Sequence, residues 1–471
     1  MTPVETLRGQ SVALFGLGGS GLSTAGALIA GGAEVAAWDD SAAARDRAAV
    51  AGVALVDLAH ADWRGFRLFV LAPGVPLTHP APHWTVNLAD EAGVPIVGDV
   101  ELFARERGVR APAAPFVAVT GTNGKSTTTA LIAHVLKEAG REVAMGGNIG
   151  VPVLDLPPPA AGRTHVVECS SYQIDLAPSL APSFGLLINI TPDHLDRHGD
   201  LARYAAIKER LVAQAEVALV GVDDEPCREI HARLKARAGA PRVIAVSGGQ
   251  SPLADVWVSE HRVMARGEAA PAADLAHARA LRGAHNGQNA AFAYAAARAL
   301  GVERDRIARA FETFPGLAHR MEEVGRLGRV LFINDSKATN ADAAEKALMS
   351  FHDIHWILGG RPKAGGVEPL RALFPRVAKA YLIGEASDEF ARTLDGAVPF
   401  DRYGTLGAAI EAAADDAAQS QGDEPVVLLS PACASFDQFM NFEARGDAFR
   451  ANVAKWLERH AAVGTCAQRG R

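Results

Sequence analysis

Residues 116–140, FVAVTGTNGKSTTTALIAHVLKEAG, constrain the fold of this chain more than any other stretch. Its first residues form an apolar run that predicts a buried strand. A turn rich in glycine and hydroxyl side chains follows, and the remainder predicts a helix. A strand that passes through a tight turn into a helix is the repeating unit of parallel sheets. The stretch therefore predicts an α/β fold.

The same alternation of apolar strand and helix recurs in three blocks along the chain. Near-continuous apolar strands that alternate with helices indicate mostly parallel sheets, buried on both faces. The 471 residues are enough for about three domains at ~150 residues each. RGVRAPAAP (107–115) predicts a linker, and TFPGLAHR (313–320) combines proline and glycine between two blocks. We therefore expect three α/β domains, at residues 1–110, 111–316 and 317–471.

Composition and charge exclude several classes of protein. Hydrophobic residues make up 49% of the chain and charged residues 21%, which excludes extended disorder. A net charge of -7 does not indicate a nucleic-acid surface. The four cysteines form no CxxC pair, no apolar run is long enough for a bilayer, and MTPVETLRGQ lacks signal-peptide features. We expect a cytoplasmic protein without membrane insertion.

The turn at 121–126, GTNGKS, fits the GK[ST] end of a P-loop. Lys125 would neutralise β- and γ-phosphate charge, and Ser126 would ligate Mg²⁺. A strict P-loop has a further glycine where this chain has Val119. The alternative is a plain strand–turn–helix with a surface lysine. The threonine run that enters the helix favours the phosphate site.

The first block has a second glycine turn. Gly16, Gly18 and Gly21 fit GxGxxG between a strand and a helix, and Asp39 follows the next strand. Such a turn binds NAD when an acid holds the ribose. The same amides would serve another nucleotide, such as a uridine diphosphate, and a tight turn without any nucleotide is the third possibility. The pattern leaves these three alternatives open.

Candidate metal ligands follow two strands of the second block. Glu168 ends the strand THVVE, and His194 follows FGLLINI in NITPDHLDRH. Mg²⁺ prefers oxygen ligands, so Glu168 suits it directly. A structural role is the alternative for His194. Lys208 lies on an amphipathic helical pattern, which by itself predicts an exposed surface lysine.

Polar loops follow the strands of the third block, in FINDSKATN, ILGGRPKAGG and LLSPACASFDQFMNFEARG. They carry lysine, arginine and hydroxyl side chains, which suit a small substrate with carboxylate groups. Solvated connecting loops are the alternative. Because several such loops leave one sheet edge, a shared site is the favoured hypothesis.

A series of motifs, in chain order, resembles the Mur ligases of peptidoglycan synthesis: TGTNGKSTT, GGNIG, ECSSYQ, NITPDHLDRH, HNGQNAAFAYA, LAHRME, INDSKATN, LGGRPK and SPACASFDQFMNFEARGDAF. The early motifs resemble folylpolyglutamate synthetases too. NDSKATN and SPACASFDQF resemble the D-glutamate-adding members. The resemblance implies a Rossmann-like N-terminal domain, a P-loop NTPase-like central domain and a Rossmann-like C-terminal domain.

The resemblance implies an ATP-dependent amide ligase that acts through an acyl phosphate. The first domain would bind UDP-N-acetylmuramoyl-L-alanine, the second ATP with Mg²⁺, and the third D-glutamate. Two nucleotides bound at once would explain the two glycine turns. The partners would be these small molecules and no nucleic acid, and we expect a monomer.

Site residues also follow from the resemblance. Those for the UDP-sugar are Gly18, Gly19, Ser20, Asp39, Gly74, Asn148 and Ser170. Those for ATP are Gly121, Thr122, Asn123, Gly124, Lys125, Ser126, Thr127, Asn286, Asn289, Arg320 and Asp335. Those for D-glutamate are Lys337, Thr339, Lys363, Ser435 and Phe436. The implied metal ligands are Ser126, Glu168, His194 and a carbamylated Lys208, and the implied catalytic residues are Lys125, His194 and Lys208.

Alternatives from the same and from other classes stay open. Another amino-acid-adding ligase of the folylpolyglutamate synthetase type is the first. An NAD-dependent dehydrogenase with an accessory NTPase block is the second, and a non-catalytic nucleotide-binding regulator is the third.

Overall fold

The computed structural model describes residues 1–239, 241–362 and 365–468. Within these residues the strands form three sheets, of four, nine and six strands. The chain divides into two compact units, Met1–Ala278 with Ala284–Thr313 and Arg279–Gly283 with Phe314–Arg471. The first unit contains the first two sheets, and the second unit contains the third.

The first sheet is parallel, with strand order β2-β1-β3-β4. Its strands are β1 (Ser11–Phe15), β2 (Glu34–Trp38), β3 (Leu68–Leu71) and β4 (Ile96–Val97). Its helices are α1 (Gly19–Gly31), α2 (Ala42–Val50), α3 (Trp84–Ala92) and α4 (Asp99–Arg110). β2 lies on one side of β1, whereas β3 and β4 lie on the other, so the direction of strand order reverses beside β1. Ligands of open α/β sheets bind at such a reversal.

The predicted linker at 107–115 is wrong over its first residues, because α4 continues to Arg110. Arg107 is buried and donates to the carbonyl of Ala114 at 3.0 Å and to the hydroxyl of Ser183 at 2.9 Å. On the same helix the buried Glu101 accepts from the amide of Ser179 at 2.9 Å. The helix therefore joins the two sheets of the first unit through satisfied polar contacts.

The second sheet has strand order β13-β12-β11-β10-β9-β8-β5-β7-β6. Pairing is parallel from β6 to β11 and antiparallel between β11, β12 and β13. Its strands are β5 (Phe116–Thr120), β6 (Glu142–Gly147), β7 (Arg163–Glu168), β8 (Phe184–Leu187), β9 (Val217–Gly221), β10 (Arg242–Val246), β11 (Val256–Ser259), β12 (Arg262–Ala265) and β13 (Ala273–Asp274). Its helices are α5 (Lys125–Glu138), α6 (Ser171–Asp175), α7 (Leu195–His198), α8 (Leu201–Ala213), α9 (Glu225–Ala236), α10 (Ala284–Ala299) and α11 (Arg304–Thr313).

Local sequence sets several of these elements. Every residue of β5 is buried, as expected for an apolar strand in the middle of a covered sheet. Asp200 caps α8 by accepting from the amide of Arg203, and Asp224 caps α9 by accepting from the amide of Cys227. These caps fix where the helices begin after their strands.

The third sheet has strand order β14-β15-β19-β16-β17-β18, and only β14 pairs antiparallel. Its strands are β14 (Glu322–Leu327), β15 (Val330–Asn334), β16 (Ile354–Gly359), β17 (Val377–Ile383), β18 (Phe400–Gly404) and β19 (Val426–Leu429). Its helices are α12 (Ala341–Ser350), α13 (Ser387–Leu394), α14 (Leu406–Gln419) and α15 (Phe442–Gln468). The carboxyl ends of β15, β19 and β16 lie side by side, so the loops after them share one edge.

The prediction of an α/β fold with mostly parallel sheets is confirmed. The three sheets correspond to the three predicted blocks, and the break between the units at Thr313 lies beside the predicted boundary at 316. Both predicted boundaries, at 110 and at 316, stay predictions, and the first two sheets share one unit. Within the described residues, no helix is long and apolar enough to cross a membrane.

Candidate active site

The turn between β5 and α5 is held from outside by Asn189, which follows β8. The amide of Thr122 donates to its carbonyl at 2.9 Å, and the amide of Asn123 donates to its side-chain oxygen at 2.8 Å. Gly124 has φ +82, and a β-carbon built there would overlap the side chain of Asn289. The first turn of α5, which begins at Lys125, keeps helix-terminal amides of the kind that bind phosphate.

Lys125 folds back over this turn. Its ammonium group donates to the carbonyl of Gly121 at 3.0 Å and to that of Thr122 at 2.9 Å. The positive charge therefore lies at the turn itself, beside the start of a helix whose dipole also favours anions. This placement fits the predicted role in neutralising phosphate charge.

Lys208 is buried, with 1% of its surface exposed, so the exposed lysine that the helical pattern predicts is wrong. The face of α8 that carries it packs on the carboxyl end of β5. Its ammonium group donates to the hydroxyl of Thr120 at 3.1 Å and to the carbonyl of Gly121 at 2.8 Å. Burial, and then the nearby Lys125, lower the pKa of Lys208 to about 7.

Glu168 ends β7, which pairs with β5. One carboxylate oxygen, Oε1, accepts from the side-chain amide of Asn148 at 2.8 Å. The other, Oε2, is buried and has no hydrogen-bond partner. A buried carboxylate oxygen without a partner costs free energy that a bound cation would recover. The predicted metal ligand and the predicted substrate contact thus lie side by side.

His194 caps the short helix α7 with a left-handed backbone, φ +54, and its side chain is 47% exposed. Its ring lies 5.1 Å from the ring of Tyr172. Its Nε2 lies 3.4 Å from a carboxylate oxygen of Asp193, and its role as a metal ligand stays a prediction. Within the described residues no group of three His, Cys, Asp or Glu could hold a metal ion. A metal here would need other donors, such as the hydroxyl of Ser126.

His198 is a residue that the sequence analysis missed, although it stands one helical turn after His194. It is buried, its Nε2 lies 2.9 Å from the hydroxyl of Ser171, and its ring stacks on Tyr172. Burial, followed by the nearby His194 and Lys208, lowers the pKa of His198 to about 4. It is therefore a neutral imidazole that orders the loop after β8.

Asn286 and Asn289 lie on α10 and are buried. The side-chain oxygen of Asn289 accepts from the hydroxyl of Thr128 at 3.2 Å, and its nitrogen donates to Asn286 at 3.0 Å. These bonds fix the first turns of α5 against α10. Asn286 and Asn289, which were predicted to contact ATP, therefore hold the helix that follows the phosphate turn.

In the first glycine turn the glycines divide into two kinds. A β-carbon on Gly21 would overlap the carbonyl of Gly16, and one on Gly16 would contact Ala72, so packing requires both glycines. Gly18 and Gly19 have open space instead, at the N-terminus of the 13-residue helix α1, where Ser20 also lies. Open glycines at a helix N-terminus allow a phosphate to approach the backbone.

Asp39 is engaged in the same turn. One carboxylate oxygen accepts from the amide of Leu17 at 2.6 Å and the other from the amide of Ser41 at 2.8 Å. Asp39 therefore joins the glycine turn after β1 to the start of the loop after β2. The carbonyl of Gly74, after β3, accepts from Arg197 of α7 at 3.1 Å, which links the loops of the two sheets.

Ser170 begins α6 in a reciprocal capping box with Gln173. Its hydroxyl accepts from the amide of Gln173 at 3.2 Å. The side chain of Gln173 donates in turn to the carboxylate of Asp99 at 3.4 Å. Ser170 is therefore held at the carboxyl end of β7, and its contact with the UDP-sugar stays a prediction.

In the second unit, Asp335 follows β15 and is buried. It accepts from the amide of Met321 at 3.2 Å and from the hydroxyl of Ser430 at 2.9 Å. Burial raises the pKa of Asp335 to about 7, against these two hydrogen bonds and the nearby Arg320. The predicted ATP residues Arg320 and Asp335 are thus neighbours.

The loops after β16 and β19 are paired through their backbones. The amides of Arg361 and Ala434 each donate to the other's carbonyl, at 2.9 and 3.1 Å. Ser435 is buried, whereas Phe436 is 63% exposed. The two loops are therefore joined to each other at the carboxyl end of the sheet.

The loop after β15 carries the remaining residues predicted for D-glutamate. The ammonium group of Lys337 lies 5.5 Å from the ring centre of Phe442, and the amide of Thr339 donates to the carbonyl of Lys337 at 2.9 Å. Lys363 lies outside the described residues. Arg445, which the sequence analysis did not single out, is a buried arginine beside this loop.

Family models match two parts of the chain. The model described as Mur ligase middle domain matches residues 119–297, and the model described as Mur ligase, glutamate ligase domain matches residues 319–433. Together they cover more than half of the chain.

Similar proteins cover nearly its whole length. The UDP-N-acetylmuramoylalanine--D-glutamate ligase of Mesorhizobium japonicum is 58% identical over 453 residues, which are 96% of this chain and 97% of that protein. The ligase of the same name from Nitrobacter hamburgensis is 59% identical over 459 residues, 96% and 98% of the two chains. The structure of a UDP-N-acetylmuramate-alanine ligase from Thermotoga maritima is similar with a TM-score of 0.58 at 17% identity, covering 96% of this chain and all of that one. That likeness concerns the fold.

Proposed function

The chain belongs to the Mur ligase family, and on that premise we propose that it is the ATP-dependent, ADP-forming ligase that joins D-glutamate to UDP-N-acetylmuramoyl-L-alanine. The observation that carries this function is the 58% identity, over 96% of the chain, to proteins with that named activity. The reaction places the chain in peptidoglycan precursor synthesis.

The first chemical step requires a carboxylate to approach a triphosphate of the same charge. The L-alanyl carboxylate attacks the γ-phosphorus, the bond to ADP breaks, and an acyl phosphate forms. Lys125 lies at the phosphate turn, where its ammonium group offsets the charge that develops in transfer. The amides at the start of α5 hold the phosphates in line for this displacement.

Residues of the first unit fit the Mg²⁺ that the family generally uses. Ser126, Glu168, His194 and Lys208 would hold it, and the unpartnered Oε2 of Glu168 supports this assignment. When bound, Mg²⁺ neutralises phosphate charge. Because its pKa is about 7, the buried amine of Lys208 is substantially unprotonated near neutral pH, and only an unprotonated amine adds to carbon dioxide. That supports carbamylation, which would convert this lysine into an oxygen donor.

The second step is attack of the D-glutamate amine on the acyl carbonyl, after which phosphate leaves from a tetrahedral intermediate. The residues proposed to bind D-glutamate belong to the second unit and are Lys337, Thr339, Lys363, Ser435 and Phe436. The paired loops after β16 and β19 present the ordered Ser435 and the exposed Phe436 at one sheet edge. That arrangement suits a small substrate whose carboxylates need cations and hydroxyls.

The first sheet is proposed to bind the uridine diphosphate rather than NAD. Gly18, Gly19 and Ser20 offer open backbone at the N-terminus of α1. Both carboxylate oxygens of Asp39 accept hydrogen bonds from backbone amides of the turn. Asp39 therefore has less hydrogen-bonding capacity left for the ribose hydroxyls of NAD. Asn148 and Ser170 would contact the muramoyl part of this substrate.

We propose that the enzyme acts in the cytoplasm, since both nucleotides are found there. A monomeric state stays a prediction. Phosphate release with ATP, Mg²⁺, UDP-N-acetylmuramoyl-L-alanine and each candidate amino acid tests the function. Release with D-glutamate and not L-glutamate is expected. Preference for L-glutamate on a folate acceptor would favour the folylpolyglutamate type instead, and tight NADH binding would favour a dehydrogenase.

A further inference from the structure

Arg445, near the start of α15, is the buried charge of the second unit that the proposed reaction leaves without a role. Only 1% of its surface is exposed. Within the described residues, no carboxylate lies at ion-pair distance from its guanidinium group, which donates to carbonyls and to one hydroxyl instead. Burying a charge is costly, and the nearby Asp437 offsets that cost without forming an ion pair with the guanidinium group.

The guanidinium group contacts the loops after two neighbouring strands. Its Nε donates to the hydroxyl of Ser336 at 3.0 Å, and its Nη2 donates to the carbonyls of Ser336 at 2.9 Å and Cys433 at 3.1 Å. Ser336 follows β15 and Cys433 follows β19. The planar fork of an arginine fixes the distance between these loops in a way that an ammonium group does not.

The third nitrogen faces the loop after β16. Nη1 is buried and has no hydrogen-bond partner. A β-carbon built on Gly360, which follows β16, would overlap the carbonyl oxygen of Ala434 and lie 3.2 Å from Nη1, so the guanidinium group lies close to this loop. One side chain therefore donates to the loops after β15 and β19 and lies close to the loop after β16, and these three strands are adjacent in the sheet.

We propose that Arg445 is the positioning residue of the amino-acid site: its hydrogen bonds fix the loops after β15 and β19, which carry Lys337 and Ser435. This inference rests on the proposed function. Burial lowers the pKa of Arg445 to about 10, so the group stays protonated at neutral pH.

The test compares Arg445→Lys with Arg376→Lys. Arg376 also donates to backbone carbonyls, those of Met349 and Phe351, both at 3.2 Å, but these precede β16 at the opposite sheet edge. For Arg445→Lys we expect KM for D-glutamate to rise about tenfold or more, the scale of lost hydrogen bonds to a charged group. KM for ATP and for the UDP-sugar should stay within about twofold, a change too small to reflect a lost hydrogen bond. Arg376→Lys should leave all three constants unchanged.

A second variant separates positioning from folding. Arg445→Ala leaves a cavity of guanidinium shape, and millimolar guanidinium should lower its KM for D-glutamate toward the wild-type value. Equal changes in all three constants for Arg445→Lys, with a lower melting temperature, would assign the residue to folding alone and overturn the inference. A wild-type enzyme without D-glutamate-dependent phosphate release would instead overturn the proposed function, and the inference with it.

Discussion

The ammonium nitrogen of Lys208 lies 2.8 Å from the carbonyl oxygen of Gly121, the first residue of the phosphate turn. The lysine is buried and its pKa is lowered to about 7. A buried lysine in this position either makes a structural contact at a cost in desolvation free energy or is a site of covalent modification. The family assignment favours the second interpretation.

Lys208→Ala should therefore lose activity that short carboxylic acids restore in part, because a free carboxylate can occupy the place of the carbamate. Intact-protein mass spectrometry of the wild type should show the added mass of carbon dioxide. Lys235→Ala, at an exposed position on α9, is the control and should behave as wild type. Absence of both the added mass and the rescue would leave Lys208 as a structural lysine.

Lys125→Ala should reduce turnover by about 10³-fold, the scale for removing a group that stabilises transition-state charge. The fold should survive, because Lys125 is the first residue of α5 and two of its hydrogen bonds are to carbonyls of the adjoining turn. Phosphate release gives the rate, and circular dichroism gives the folded state. Near-normal release from a folded variant would contradict the assignment of this turn to ATP.

Glu168→Gln should raise the Mg²⁺ concentration needed for half-maximal phosphate release, because it removes the charge from a buried carboxylate whose Oε2 has no partner. Glu142→Gln, at an exposed position on the edge strand β6, is the matched control. Binding of Mg²⁺ to the variant can also be followed without turnover, by calorimetry. An unchanged Mg²⁺ requirement would remove Glu168 from the metal site.

The two kinds of glycine in the first turn predict opposite outcomes. Gly18→Leu should fold, since no atom lies within 4 Å of a β-carbon there. It should nevertheless raise KM for the UDP-sugar about tenfold or more by blocking the helix N-terminus, without changing KM for ATP. Gly21→Ala should instead destabilise the protein, because its β-carbon overlaps the carbonyl of Gly16. Normal UDP-sugar binding by folded Gly18→Leu would place this substrate elsewhere.

Asp335 should give the free enzyme a measurable pH dependence of stability. Its pKa is about 7 in the folded state and 3.8 as the ordinary value, so the folded state holds the extra proton between these pH values. Stability from this group therefore falls as pH rises from about 4 to about 7, by at most about 1.4 kcal/mol per pH unit.

Asp335→Asn lacks this dependence, so its stability relative to wild type should increase between pH 5 and pH 8 in urea denaturation. Asp342→Asn, at an exposed position on α12, is the control. A difference between Asp335→Asn and wild type that is the same at both pH values would show that the carboxyl does not titrate in this range.

Apolar strands and glycine turns could be predicted from the sequence because their signals are local. The run at 116–120 and the turn after it appear where expected, as β5 and the start of α5. The polar strands β14 and β18 could not, since EEVGRL and FDRYG carry no apolar run and are held by pairing with their neighbours.

Long-range contacts also explain the errors at single residues. The helical pattern of α8 predicted an exposed Lys208, but its acceptor Gly121 is 87 residues away in sequence. Arg107 extends α4 into the predicted linker through Ser183, 76 residues away. No local pattern contains such partners, whereas the family motifs predict a site role for Lys208 without them.

If ATP bound at the turn around Lys125 activates the alanyl carboxylate as an acyl phosphate, one oxygen of that carboxylate must end in the released phosphate. UDP-N-acetylmuramoyl-L-alanine labelled with ¹⁸O in the alanyl carboxylate is incubated with ATP, Mg²⁺, D-glutamate and the wild-type enzyme. Transfer of one labelled oxygen from each reacting carboxylate into inorganic phosphate is the predicted result. Amide product accompanied by unlabelled phosphate would exclude an acyl phosphate intermediate.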